Sequence, residues 1–153
     1  MYSFALLRNC LCYIFVAMKK FDVKIAYTDV ATAVMMVTAN AAQQRGDAAH
    51  IATEDNDSLL KLMFAEVGCE VSALLSKYAA STITTDADFS FSLAENWDDA
   101  LEDALKRRLK DVFVYGVLAR WYTLSGDSVY GAMFQGGIDE IVKMVNKRVK
   151  PER

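Results

Sequence analysis

The sequence predicts a mainly α-helical fold with a minor β component. The expected architecture is a four-helix bundle-like domain with a short N-terminal strand and a β-hairpin inserted before the long third helix. Three observations predict it. Four segments carry apolar residues at steps of three or four, the spacing of one helix face. Two short segments instead alternate apolar and polar residues, the period of a half-buried strand. One proline and seven glycines in 153 residues are too few for a loop-rich chain, and the length predicts one domain with a real core.

Residues 1–17, MYSFALLRNCLCYIFVA, are read as an extension outside the fold, with the domain spanning 18–153. A transmembrane helix needs about 20 apolar residues, and this run is shorter and interrupted by Arg8. A signal peptide carries its positive charge before the apolar run and small residues before the cut. Here Lys19 and Lys20 follow the run, and Phe15 stands where a small residue belongs. Translation from Met18, with 1–17 as an in-frame upstream extension, is the preferred reading.

Phe21, Val23, Ile25 and Tyr27 alternate with other residues, which predicts a strand over 21–28. Thr28 and Asp29 offer a cap to a helix over 29–44 that carries Val30, Val34, Val37 and Ala41, and Gly46 ends it. Residues 46–57 are a polar connection holding His50, the only histidine; nothing in the sequence ties it to a catalytic constellation, so it reads as a surface loop residue. A second helix is expected from about 56 to 80 on Leu60, Met63, Phe64, Val67, Val71, Leu74, Leu75 and Tyr78. Gly68 and Cys69 beside that stripe predict a close helix contact and a buried structural thiol.

In 81–95 the period changes: Ile83, Phe89, Phe91 and Leu93 alternate with Ser and Thr around a break at 85–88. This predicts a hairpin. A lone hairpin is marginal in water, so it packs on the helices, pairs with the 21–28 strand, or pairs with a neighbouring subunit. The last option makes Phe89 and Phe91 candidate interface residues.

The long third helix runs over 96–126, about seven turns. Leu101, Leu105, Leu109, Val112, Phe113, Val117, Trp121 and Leu124 form its apolar face. Asn96 is the expected N-cap, acidic residues over 98–103 suit the positive end of the helix dipole, and Gly126 is the expected stop. Its second half, VFVYGVLARWY, is apolar nearly all round, so other segments should cover it on most sides. The last helix carries Val129, Met133, Phe134, Ile138, Ile141, Val142 and Val145. Gly131, Gly136 and Gly137 each weaken it by about 1 kcal/mol relative to alanine, which predicts tight packing against a bulky neighbour such as Trp121 or Tyr122, or a kink.

A net charge of −3 gives no whole-protein argument for nucleic-acid binding. Three cysteines, with Cys10 and Cys12 spaced C-x-C and no second pair, suggest neither a disulfide framework nor a zinc site. There is no GxGxxG, Walker A, HExxH, GxSxG or CxxC motif, so neither an enzyme activity nor a cofactor or metal is expected. Arg120 and Tyr122, beside Trp121, are of the residue types favoured at interaction hot spots, although the middle of an apolar helix also suits core residues. The basic end, Lys147, Arg148, Lys150 and Arg153, could contact phosphates or simply suit a helix C-terminus.

From Met18 onward the layout resembles the head–tail connector or adaptor proteins of tailed phages and prophages. The likeness lies in a helix opening on acidic residues (EDNDSLLKLMFAEVGCEVSALLSKY) and a short β-rich insert. A long helix with an aromatic end (ALKRRLKDVFVYGVLARWYTLSG) follows, then a last helix closing on a basic tail (VNKRVKPER). These are patterns of residue class, and the β segment is more strand-like than in purely helical adaptors, which leaves room for a tail-completion role. The resemblance implies a homo-oligomeric ring at the portal–tail junction of the virion, with portal and tail proteins as partners. DNA would pass through without sequence-specific binding. It implies no enzyme activity, cofactor or membrane association. On this expectation Asp86, Asp88, Asp98, Asp99 and Asp103 form a DNA-facing acidic surface. Phe89, Phe91, Arg120, Tyr122 and the basic tail would meet neighbouring subunits. From another class, the alternative is a cytosolic helical binding module acting as a dimer through Trp121 and the last helix.

Overall fold

The computed structural model describes residues 21–46, 50–76, 79–83, 88–93, 99–123 and 129–146. In chain order the elements are β1 (Phe21–Ile25), α1 (Tyr27–Arg45), a single 3-10 turn (Glu54–Asn56), α2 (Asp57–Leu74), β2 (Ala79–Ile83), β3 (Phe89–Leu93), α3 (Asp99–Thr123) and α4 (Val129–Asn146). The fold is mainly α with a small β component, as the periodicities predict. The expected caps at Asn96 and Gly126, and the stripe positions Tyr78 and Leu124, lie outside the described residues.

The three strands form one antiparallel sheet in the order β1-β3-β2. The hairpin of β2 and β3 is therefore completed inside the chain by the N-terminal strand, with Val23 opposite Phe91 and Ile25 opposite Phe89. Residues directly opposite in an antiparallel pair point to the same face. The row Val23, Ile25, Phe89 and Phe91 is buried and faces the helices.

α3 is the central helix. Leu105, Leu109, Val112, Phe113, Val117 and Leu118 are at most 1% exposed, and α1, α2, α4 and β1 all pack on it. Its apolar second half needs cover on most sides, and those elements supply it. Around Phe113 five rings from four elements meet. Phe64 lies 5.2 Å from Phe113 between centroids and 5.6 Å from Phe89. Phe91 lies 6.1 Å from Phe113, and Tyr27 lies 5.5 Å from Phe64. Each such pair adds about 0.5–1.5 kcal/mol beyond area burial.

Several boundaries and faces differ from expectation. α1 begins at Tyr27, and no side chain of Thr28 or Asp29 caps it; its N-cap, Ala26, makes no side-chain cap bond. α2 ends at Leu74, because Ala79 and the residues after it pair with β3. Leu74, Val129 and Met133, expected in apolar stripes, are 44%, 59% and 40% exposed, whereas Leu75 is buried. Gly46 does end α1, at φ 68° with its N–H bonded to the Ala42 carbonyl, a left-handed cap that glycine adopts without penalty. Gly68 faces the β3 ring of Phe89 and not another helix: a Cβ there would lie 2.0–2.5 Å from that ring. Gly137 alone among the three glycines of α4 meets a close neighbour, Val112 of α3 at 2.7 Å from a built Cβ.

Candidate functional site

Among the described residues, three polar knots tie distant elements together, beside an exposed ion pair of Arg108 Nε with Glu140 Oε2 at 3.2 Å between α3 and α4. The first surrounds the start of α1. Asp88, the residue before β3, accepts the Tyr27 backbone N–H on Oδ1 at 2.8 Å and holds Lys24 Nζ on Oδ2 at 2.9 Å. It thereby takes the place of the missing local cap, since the first N–H groups of a helix have no intrahelical acceptor. Tyr27 Oη donates to Asp57 Oδ1 at 2.8 Å and also approaches the Asp57 carbonyl at 3.2 Å. Lys61, one turn on, holds Asp57 Oδ2 at 2.7 Å and lies 5.5 Å from the Tyr27 ring centroid. The hydrogen bond from Lys24, then the Tyr27 N–H, keeps the Asp88 carboxyl below its ordinary range. The bonds from Lys61 and Tyr27 do the same for Asp57. Burial, and then the Asp57 carboxylate, push the Tyr27 phenol well above the ordinary tyrosine value. Both carboxylates are thus ionised acceptors at neutral pH, already occupied by partners within the chain.

This placement corrects the acidic-surface expectation at Asp88. It is 7% exposed and consumed as a cap and ion-pair partner, so it presents no charge to a passing ligand. Asp103 is exposed, on the second turn of α3. Asp99 opens α3, and its side chain lies outside the description. Asp86 and Asp98 lie outside the described residues.

The second knot joins α2 to α3. Glu66 and Glu70, one turn apart, take Arg120 Nε at 3.2 Å and Nη2 at 2.8 Å. Nη1 donates to the Gly116 carbonyl at 3.1 Å, and the guanidinium lies 5.9 Å from the Phe134 ring of α4. Arg120 thus bridges α2 and α3 and lies over a ring of α4, with its side chain 25% exposed. Its five donors in a rigid fork suit two carboxylates on one helix face.

The third knot closes the loop between α1 and α2. Trp121 Nε1 donates to the His50 carbonyl at 2.7 Å. Buried Thr38 accepts the Ala52 N–H at 3.0 Å and donates to the Met35 carbonyl. A shallow cleft of about 230 Å³, much of it open solvent, lies beside it, lined by Thr38, Ala41, Ala42, Arg45, His50 and Tyr122. His50 is exposed, as a loop residue should be. Tyr122 is 4% exposed and stacks on Tyr130 at 5.5 Å. Phe89 and Phe91 are 2% and 0% exposed. All three are core residues, not interface residues: the sheet turns the two phenylalanines inward, and α4 covers the tyrosine. Lys147, Arg148, Lys150 and Arg153 lie outside the described residues.

Cys69 is exposed and carries no disulfide, contrary to the buried thiol expected. Among the described residues no group of three or more His, Cys, Asp or Glu side chains stands close enough to hold a metal ion, and no helix is long and apolar enough to cross a membrane.

Met36, Leu59, Leu62, Leu74 and Ile83 are exposed on other elements, and α4 carries an exposed stripe of its own. Val129, Ala132, Met133 and Gly136 follow at i, i+3, i+4 and i+7, and all four are exposed. A Cβ built at Gly136, or at neighbouring Gly131, meets nothing within 4 Å. The first signal of this stripe was in the sequence, as glycines and apolar residues mixed in one helix. Its direction was not. No family model, curated protein or solved structure matches the chain.

Proposed function

We propose that the chain is a non-catalytic assembly subunit. Following its resemblance to head–tail connector and adaptor proteins, we place it as one copy of an oligomeric ring at the portal–tail junction of a phage or prophage particle. The observation that carries the assembly reading is the outer stripe of α4. Among the described residues no neighbour explains Gly131 or Gly136, and each costs an exposed helix about 1 kcal/mol relative to alanine. Val129 and Met133 beside them leave apolar surface in water at 59% and 40% exposure. Small residues flanked by apolar ones let another backbone approach closely, and a face that meets a different face on the next copy generates a ring when the rotation closes. In this proposal the basic residues after α4 reach a neighbouring ring. Asp103, with Asp86, Asp98 and Asp99, faces the passing DNA.

Two measurements test this. Mass spectrometry of density-purified particles induced from the source culture should find the chain at a stoichiometry near that of the portal protein. Recovery only from the lysate would remove the connector reading and favour the dimeric binding module. For the stripe itself, Val129→Glu with Met133→Glu should leave the circular dichroism melt within about 0.5 kcal/mol of wild type, as exposed substitutions do, and abolish self-association in analytical ultracentrifugation. An unchanged mass distribution would remove the stripe from the assembly.

A further inference from the structure

The two edges of the sheet differ in kind. β1 carries Asp22 and Lys24, both exposed, with Asp22 accepting the Ser92 hydroxyl and Lys24 bonded to Asp88. Charge at an edge is the ordinary defence against pairing with another chain. β2 has no such defence. Its residues are Ala-Ala-Ser-Thr-Ile, without a charge or a proline, and among the described residues it is paired by β3 alone.

The face of that edge is also unfinished. Ala79, Ser81 and Ile83 lie opposite Leu93, Phe91 and Phe89, so they share the inward row of the sheet with the two buried phenylalanines. Yet Ile83 is 60% exposed, and Ser81 is exposed as well. The apolar side of the sheet thus runs out past the helices that cover it. The Ala79 N–H is already taken by the Leu75 carbonyl at 2.9 Å; a strand laid beyond β2 would cover Ile83 and pair outward backbone groups past that point in one step.

From this edge we infer that β2 pairs antiparallel with β2 of a second copy of the chain, about a two-fold axis at Ser81, to give one six-stranded sheet. The inward row selects a second copy over an arbitrary strand. Set against its own reverse, the row places Ile83 beside Ala79 of the second copy, Ser81 beside Ser81, and Ala79 beside Ile83. Large meets small at both ends, and the two hydroxyls meet in the middle. A two-fold contact of this kind is self-complementary. Five residues bury little area, so the pair is a weak one. It shares no residue with the α4 stripe, so either contact can fail without the other.

The test uses the full chain with Cys10, Cys12 and Cys69 changed to Ser. Directly opposite residues in an antiparallel pair have Cβ atoms about 4.5–5.5 Å apart. Ser81→Cys should therefore give a disulfide-linked dimer under mild oxidation. Thr32→Cys, on the outer side of α1, should not. Separately, Ser81→Lys with Ile83→Lys places like charges opposite one another, which is unfavourable across a strand pair. It should weaken concentration-dependent dimerisation by about tenfold or more, with the circular dichroism spectrum unchanged. The α4 variant Val129→Glu with Met133→Glu should still form the Ser81→Cys crosslink. Failure of Ser81→Cys to crosslink above the Thr32→Cys background, or a lysine variant that dimerises like wild type, overturns the inference.

Discussion

Asp88 holds Lys24 with one carboxylate oxygen and the first N–H of α1 with the other, so a single side chain fastens the start of β3 to the corner between β1 and α1. Removing a cap of this kind costs about 0.5–2 kcal/mol, and Asp88→Ala should lose about that much in urea unfolding at pH 7. The pH dependence has a definite sign. Lys24, then the Tyr27 N–H, hold the Asp88 carboxyl below its ordinary range in the folded state. Its contribution is therefore complete above the unfolded aspartate value of about 3.9 and is lost as pH falls through the lower folded value. Asp57, held down by Lys61 and Tyr27, acts in the same direction. Urea midpoints of the wild type should fall steeply below about pH 4. Those of Asp88→Ala should fall less, and equal slopes would show that the latch does not operate in solution. The exchange of one local cap for a distant one was not legible in the sequence. Thr28 and Asp29 have the right chemistry for a cap, and only the return of the chain at Asp88 supplies the acceptor.

Elements pack here by close approach at Gly68, Gly116 and Gly137 and stay open at Gly131 and Gly136, and the contrast is testable on the helices themselves. A Cβ at Gly68 collides with the Phe89 ring at 2.0–2.5 Å. Overpacking costs about 1–3 kcal/mol, more than the roughly 1 kcal/mol an alanine adds to helix propensity. Gly68→Ala should therefore lower the melting temperature. Gly136→Ala meets open space and should raise it, by an amount equivalent to at most about 1 kcal/mol. If α4 is a subunit contact, the same alanine should weaken self-association while stabilising the monomer. That opposition separates a packing glycine of an interface from one of no consequence. Glycine content alone could not sort these positions, because the neighbour that matters is on another element.

At the scale of the molecule, one aromatic cluster joins α1, α2, β3 and α3 through Phe113. Phe113 is fully buried, and truncating such a ring costs about 3–5 kcal/mol. That is a large part of the 5–15 kcal/mol by which a domain is stable. Phe113→Ala should shift the whole unfolding transition, with far-UV and tryptophan signals moving together. Separate transitions would mean that the sheet and the helices are not one cooperative unit.

The sequence by itself determined the number and type of the elements, and it marked the third helix as central. Helical and strand periods are local properties, readable from the side chains of a single segment. It also carried the mixture of glycine and apolar residues that becomes the stripe on α4. The tertiary structure decided where shared residue types go. Phe89 and Phe91 face inward because β1 and the helices cover β3, and Tyr122 is buried beneath Tyr130. Arg120 turns to two glutamates 54 and 50 residues away in the chain, and Asp88 caps a helix 61 residues before it. Leu74, Val129 and Met133 fit an apolar stripe by spacing yet stand in water. An aromatic or a charge has the same chemistry at an interface and in a core, and a helix stripe wider than its neighbour leaves a rim. Which side is covered depends on segments distant in sequence, and that is settled only when the chain folds back on itself.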